Sequence, residues 1–80
     1  MANAYWAEYV DIKGRTILSQ LIARSESWAF GEFENIDECV NADPAGTAEI
    51  RLTINGRTIA SVQRARYETP GNFEDGYFYA

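Results

Sequence analysis

Apolar and polar residues alternate on both sides of Asn55 and Gly56, from Ile50 to Ile59. A two-residue type I′ turn needs positive φ at both central residues, which Asn and Gly tolerate better than other residues. The pattern therefore predicts a β-hairpin over residues 48–67. The predicted cross-strand pairs are Ile54 with Arg57, Leu52 with Ile59, and Ile50 with Ser61.

This hairpin is expected to have one buried and one solvent-facing side, as in an antiparallel sheet that covers a core. The buried face is predicted to carry Ile50, Leu52, Ile54, Ile59, Ala65 and Tyr67. The solvent face is predicted to carry Glu49, Arg51, Thr53, Thr58, Val62, Arg64 and Arg66. We interpret these arginines as solvated side chains, with contact to a partner as the alternative.

A first hairpin is predicted over residues 4–24, because residues 12–19 repeat residues 54–61 at six of eight positions. The shared pattern is Ile-x-Gly-Arg-Thr-Ile-x-Ser, and repeats of this kind indicate repeated structure. The turn is expected at Lys13 and Gly14, although lysine accepts positive φ less readily than asparagine.

Both faces of this first hairpin are apolar if its turn also has two residues. One face would carry Trp6, Val10, Ile12, Ile17 and Leu21, and the other Tyr5, Tyr9, Leu18 and Ile22. Either the rest of the chain covers both faces, or one face is left to bind something.

One short helix is predicted between the hairpins, over residues 35–42. Asn35 with Glu38 resembles a capping box, and Ile36, Cys39 and Val40 form one apolar stripe. The aromatic segment 27–33 is expected to extend a strand or to form a packed loop. Together these elements predict an α+β fold of order ββ-α-ββ, a four-stranded antiparallel sheet with one helix, in a single domain that ends in an aromatic tail at 68–80.

The composition argues against several classes of function. The chain has 80 residues, no histidine and one cysteine. It therefore lacks an imidazole base, a Cys-His pair and the ligands of a structural zinc site, and Cys39 is expected to be buried and inert. No nucleotide-binding or hydrolase motif is present. The sequence predicts no enzyme, cofactor or metal, no membrane span or signal peptide, and a cytoplasmic location.

The charge is unevenly distributed along the chain. Residues 25–50 contain seven acidic residues and no basic one, whereas residues 51–66 contain four arginines and no acid. An acidic surface repels phosphate backbones and attracts basic protein grooves, so direct nucleic-acid binding is not expected. Solubility alone is the simpler interpretation of the same charge.

The candidate partner-binding residues combine these acids with neighbouring aromatics. Aromatic anchors beside charged groups are typical of binding hot spots, although they also fill small cores. The candidates are Glu32, Glu34, Asp37, Glu38, Asp43, Glu74, Asp75, Trp28, Phe30, Tyr77 and Tyr79.

The acidic segment Glu26–Glu49 and the tail Glu74–Tyr79 give the chain a resemblance to small acidic phage proteins of the anti-CRISPR type. The resemblance is one of class and involves no family motif. It implies a non-enzymatic inhibitor that binds a protein complex handling nucleic acid, a CRISPR effector, and blocks its nucleic-acid site in the bacterial host cell. The basic face of the second hairpin departs from a simple DNA mimic.

The alternative is a structural or adaptor module that acts as a homodimer. The apolar face of the first hairpin would then be the self-association surface. Its candidate residues are Tyr5, Tyr9, Leu18 and Ile22.

Overall fold

The fold is seen in a computed structural model, which describes residues 3–64. Four strands form one sheet: β1 (Tyr5–Val10), β2 (Thr16–Ala23), β3 (Glu49–Ile54) and β4 (Arg57–Gln63). Their order is β2-β1-β3-β4, and all neighbours are antiparallel. The predicted α+β fold with two hairpins and one helix is confirmed.

The second hairpin turns as predicted, but its register then shifts. Asn55 and Gly56 have φ of 53° and 77°, and Ile54 pairs with Arg57. Beyond this point the pairing slips by one residue at a β-bulge. Leu52 faces Ala60 and Ile50 faces Val62, so the predicted pairs with Ile59 and Ser61 are wrong.

The bulge reverses the faces of the last part of β4. Side chains alternate between faces, so one extra residue exchanges them. Val62 packs against the core, and Arg64 is buried, at 5% exposure, instead of being solvated. Ala65, Arg66, Tyr67 and the tail 68–80 lie outside the described residues.

The first hairpin has a longer loop than the expected two-residue turn. The Asp11 amide donates to the Arg15 carbonyl at 2.8 Å, and Gly14 has a φ of 82°. The Asp11 carboxylate accepts hydrogen bonds from the amides of Lys13 and Arg15, at 2.9 and 2.8 Å. This side chain therefore organises the loop, as acidic residues do in Asx-type turns.

The helix α1 (Glu26–Glu38) begins well before the predicted start. Its N-cap is Ser25 in extended conformation, and the segment predicted as strand or loop is its first half. Asn35, the predicted cap, lies in its last turn, and its carbonyl accepts a bond from the Cys39 amide at 3.0 Å. A short 3₁₀ turn, Val40–Ala42, follows.

The stripe that holds α1 on the sheet consists of Ala29, Phe33 and Ile36, at i, i+4 and i+7. Full burial of a phenylalanine stabilises by about 1.5–3 kcal/mol, so this stripe outweighs the poor helix propensity of Gly31. Cys39, expected to be buried, is exposed, and so is Val40.

The two faces of the sheet differ. The face under α1 carries Tyr5, Ala7 and Tyr9 of β1 together with Ile50, Leu52 and Ile54 of β3, and these side chains are buried. The helix packs mainly against β2 and also against β1. On the opposite face, Trp6 and Leu21 are cross-strand neighbours at 37% and 41% exposure. No helix in the described part of the chain is long and apolar enough to cross a membrane.

Candidate protein-binding surface

The outer surface of α1 is acidic and aromatic. The helix contains five acidic residues and no basic one. Trp28 and Phe30 are exposed at 68% and 40%, although both are large apolar side chains. We call the exposed side of α1, formed by Glu26, Trp28, Phe30, Glu34 and Glu38, the acidic–aromatic face.

Helical spacing divides this face into two flanks on either side of the buried stripe. Phe30 has Glu26 four residues before it and Glu34 four residues after it, so the ring lies between two carboxylates on one flank. Trp28 lies on the other flank, with the half-buried Glu32 four residues on. Each aromatic side chain is therefore adjacent to at least one acid.

Arg64 joins the end of β4 to the end of α1. Its Nη2 donates to the Ile36 carbonyl at 2.9 Å, and its Nη1 to the Asp37 carbonyl at 3.2 Å and the Asp37 Oδ1 at 3.1 Å. Its Nε donates to the Asp43 Oδ2 at 2.6 Å. The guanidinium thus binds two helix-terminal carbonyls and two carboxylates.

This arrangement offsets an electrostatic problem in the sequence. The last carbonyls of a helix lack partners and carry partial negative charge, and Asp37 and Glu38 add negative charge there. The buried Arg64 supplies the compensating positive charge. Its hydrogen bond to Asp43 is the main cause of its raised pKa, and burial acts in the opposite direction.

The phenol of Tyr9 is affected by the same group of charges. Burial raises its pKa, the charge of Asp43 raises it further, and Arg64 lowers it. Tyr9 is therefore a protonated core residue beneath the junction of α1 and β4, in accordance with its 6% exposure.

The structure separates the predicted partner-binding residues into three groups. Trp28, Phe30, Glu34 and Glu38 are exposed on α1, and Glu32 is half-buried. Asp37 is half exposed but bonded to Arg64, and the Asp43 side chain is buried at 2% exposure in the same ion pair. Glu74, Asp75, Tyr77 and Tyr79 lie outside the described residues. Asp43 thus has an internal role in place of the predicted one on the surface.

The predicted self-association residues are also divided. Tyr5 and Tyr9 are core residues at 6% exposure, because α1 covers that face, and Ile22 packs against the same core. Leu18 is exposed at 43%. These four residues therefore do not form one exposed surface, whereas the opposite face of the sheet exposes Trp6 and Leu21.

The sequence pattern hid the role of Arg64, since a two-residue turn without a bulge assigns this residue to the solvent face. The only sequence signal for this role was that Arg64 is a charged residue close to positions predicted for the apolar face. Within residues 3–64, no three His, Cys, Asp or Glu side chains are grouped as a metal site would require. Comparison with protein-family models, curated proteins and solved structures gives no match to this chain.

Proposed function

We propose that this protein is a non-enzymatic inhibitor that binds another protein through the acidic–aromatic face of α1. Its target surface is basic and otherwise binds nucleic acid. The observation that carries the proposal is the exposure of Trp28 and Phe30 on a helix with five acids and no base. Exposed aromatics cost solvation free energy unless a partner covers them, and the acids favour a basic partner.

The two kinds of side chain have different roles in this proposal. The carboxylates of Glu26, Glu34 and Glu38 attract the partner at a distance and raise the association rate. Trp28 and Phe30 supply the buried contact, because aromatic side chains contribute most to hot spots. Loss of a carboxylate should therefore change mainly the on-rate, and loss of Trp28 mainly the off-rate.

We further propose a CRISPR effector complex as the target, in accordance with the class resemblance to anti-CRISPR proteins. The basic face of the second hairpin was the main argument against an acidic mimic of nucleic acid. Two of its arginines are paired internally, Arg64 with Asp37 and Asp43, and Arg51 with Glu49 at 3.1 Å. These pairs reduce the positive charge that a basic target would meet.

The test is binding to purified CRISPR effector complexes, measured at about 50 mM and 300 mM salt. Tight binding at low salt that weakens strongly at high salt, together with loss of target DNA binding, is the expected result. Trp28→Ala should weaken binding at least tenfold. Ile12→Ala is the matched control, because Ile12 is apolar and also 68% exposed but lies in the β1–β2 loop.

Equal binding by both variants would exclude α1 as the binding surface. Binding that does not change with salt would exclude the steering role of the acids. If no effector binds, the proposed target is wrong, and the acidic–aromatic face must then be tested against other basic nucleic-acid-binding proteins.

A homodimer is the second candidate function, and the exposed edge strand β2 favours it. Residues 16–23 contain no charged residue, and Ile17, Leu18 and Leu21 are exposed at 41–43%. Uncharged edge strands are templates for pairing with another strand. Light scattering at high concentration tests it: Leu18→Lys should convert a dimer into a monomer, and a monomeric wild type would exclude the dimer.

A further inference from the structure

The open face of the sheet contains a second feature, a shallow concavity beside Trp6. It has a volume of about 270 Å³ and is lined by Ala4, Trp6, Glu8, Ser19, Thr53, Asn55 and Gly56. Three strands and the turn between β3 and β4 contribute to it, so its walls belong to the rigid part of the fold. It lies on the side of the sheet opposite α1 and is therefore separate from the acidic–aromatic face.

Glu8 is the only charged side chain in this lining, and it forms no salt bridge in the described part of the chain. It pairs across the strands with Ser19 on one side and Arg51 on the other. The Arg51 guanidinium, however, donates to Glu49 at 3.1 Å and not to Glu8. The hydrogen bond to Glu49 is the main cause of the raised pKa of Arg51, and the charge of Glu8 adds to it. Within residues 3–64, the Glu8 side chain forms no hydrogen bond or salt bridge.

Trp6 adds an exposed aromatic surface next to this carboxylate. It is directly opposite Thr53, lies two residues from Glu8 on the same face of β1, and is 37% exposed. The face of an indole attracts cations more strongly than other aromatic side chains do, and a nearby carboxylate adds to the attraction. Trp6 and Glu8 are thus suited to the same kind of ligand.

We propose that this concavity binds the guanidinium group of an arginine side chain. The planar group would stack on Trp6 and donate to Glu8, while the oxygens of Ser19, Thr53 and Asn55 accept its remaining N–H groups. Arginine has five donors in a plane and no acceptor, and this lining supplies acceptors. A neutral ligand would gain less from Glu8 because it lacks the positive charge, and an anion would be repelled by it.

The inference rests on the proposed function in one respect, the source of the arginine, which is the basic surface of the partner protein. The protein would then present two sites for a basic partner on opposite sides of the sheet. The site itself is testable without the partner, because a small arginine derivative contains the complete ligand group.

The experiment is a titration of the full chain with N-acetyl-arginine amide, followed by NMR of the two tryptophan indole N–H signals. Trp28→Phe identifies the Trp6 signal and leaves this tryptophan as the only one. The Trp6 signal should shift in a saturable way. The citrulline analogue has nearly the same shape without charge, and its affinity should be at least threefold lower. Glu8→Gln should weaken arginine binding about threefold, and Glu34→Gln, on α1, should leave it unchanged.

Trp6→Leu should weaken binding about threefold to tenfold, with the amides of Thr53 and Asn55 as reporters. Equal shifts with arginine and citrulline, or equal shifts of both indole signals, would overturn the proposal. An arginine-specific shift at Trp6 without any binding to CRISPR effectors would retain this site and reject the proposed target. Binding to an effector that Trp6→Leu leaves unchanged, together with no shift by arginine, would reject this site alone.

Discussion

The two hairpins share an eight-residue sequence pattern, but the residues around it have different structural roles. In both copies the glycine has positive φ, 82° at Gly14 and 77° at Gly56. In both, the second isoleucine of the pattern is the extra residue of a bulge, since Ile17 and Ile59 have no partner in the register. The repeat thus encodes a turn followed by a bulge.

The copies differ in how the turn is entered. Asn55 accepts a φ of 53° and closes a two-residue turn, so Ile54 is the last core residue of β3. Before the first turn, Asp11 accepts backbone hydrogen bonds and produces a longer loop, in which Ile12 is 68% exposed. Equivalent isoleucines therefore have opposite environments, which no sequence comparison of the two copies would indicate.

The copies also differ at the position five residues after the bulge. Ile22 in the first copy corresponds to Arg64 in the second. Both face the helix, but Ile22 packs against the core, while Arg64 binds the end of α1 and two carboxylates. Equivalent positions of the repeat thus carry an apolar contact in one hairpin and an ionic anchor in the other.

The largest expected effect comes from removing that anchor. Arg64→Met should lower the free energy of unfolding by about 3–5 kcal/mol, because it breaks the buried ion pair with Asp43 and the bonds to the end of α1. Urea denaturation measures this loss. Arg57→Met is the control, as Arg57 is exposed at the start of β4, the strand that Arg64 follows, and should change stability by less than about 0.5 kcal/mol. Similar losses for both variants would contradict the role of Arg64.

The next largest difference in the free energy of unfolding is expected between alanine variants of the equivalent residues Ile54 and Ile12. Ile54→Ala should cost about 2–5 kcal/mol because it creates a cavity under α1. Ile12→Ala should cost less than about 0.5 kcal/mol, since its side chain is already in water. Thermal unfolding of both variants makes the comparison, and a substantial loss in Ile12→Ala would mean that the first loop is packed in solution.

Substitutions in the two turns should differ by a smaller amount in their effect on the free energy of unfolding. Asn55→Ala should cost about 1–2 kcal/mol, because alanine is strained at positive φ. Lys13→Ala should have almost no effect, since Lys13 is not at positive φ. If both substitutions cost the same in urea denaturation, the two turns would have the same conformation and the structural difference would be wrong.

The smallest effect is a pH dependence of the first loop. Hydrogen bonds from the Arg15 and Lys13 amides hold the pKa of Asp11 below its usual value of 3.8. A carboxyl with a lowered folded-state pKa stabilises above its unfolded pKa, and this contribution is lost as pH falls through the folded value. Asp11→Asn should therefore reduce the fall in melting temperature below about pH 4, and an identical pH profile would exclude this role.

Much of the fold was predictable, and the exceptions have physical causes. Alternation and the Asn-Gly pair predicted the second hairpin because these signals are local, and the repeat of its pattern in residues 12–19 predicted the first. The bulge at Ile59 was not predictable, since it depends on which side chains the sheet buries, and this single residue changed the faces of Val62 and Arg64. The helix was predicted too short because Asn35 and Glu38 resemble a cap, while Phe33 and Ala29 reveal their role only when packed.

The acidic–aromatic face was only partly predictable from the sequence. Trp28 and Phe30 were candidates from composition, and their exposure follows from their helical positions relative to Phe33. Asp43 was indistinguishable from the other acids in the sequence, because its partner Arg64 is 21 residues away. The Trp6–Glu8 concavity was not predicted, since it needs residues from three strands.

The anchor formed by Arg64 also constrains the order in which the chain becomes stable. Its partners on and after α1 precede it by 21 to 28 residues. During synthesis, the carbonyls of Ile36 and Asp37 therefore lack their bonds to Arg64 until the end of β4 has left the ribosome, and short helices are marginal without tertiary contacts. The final turn of α1 and the last strand should then open together as one cooperative unit, with equal protection of the Cys39 and Arg64 amides in native-state hydrogen exchange.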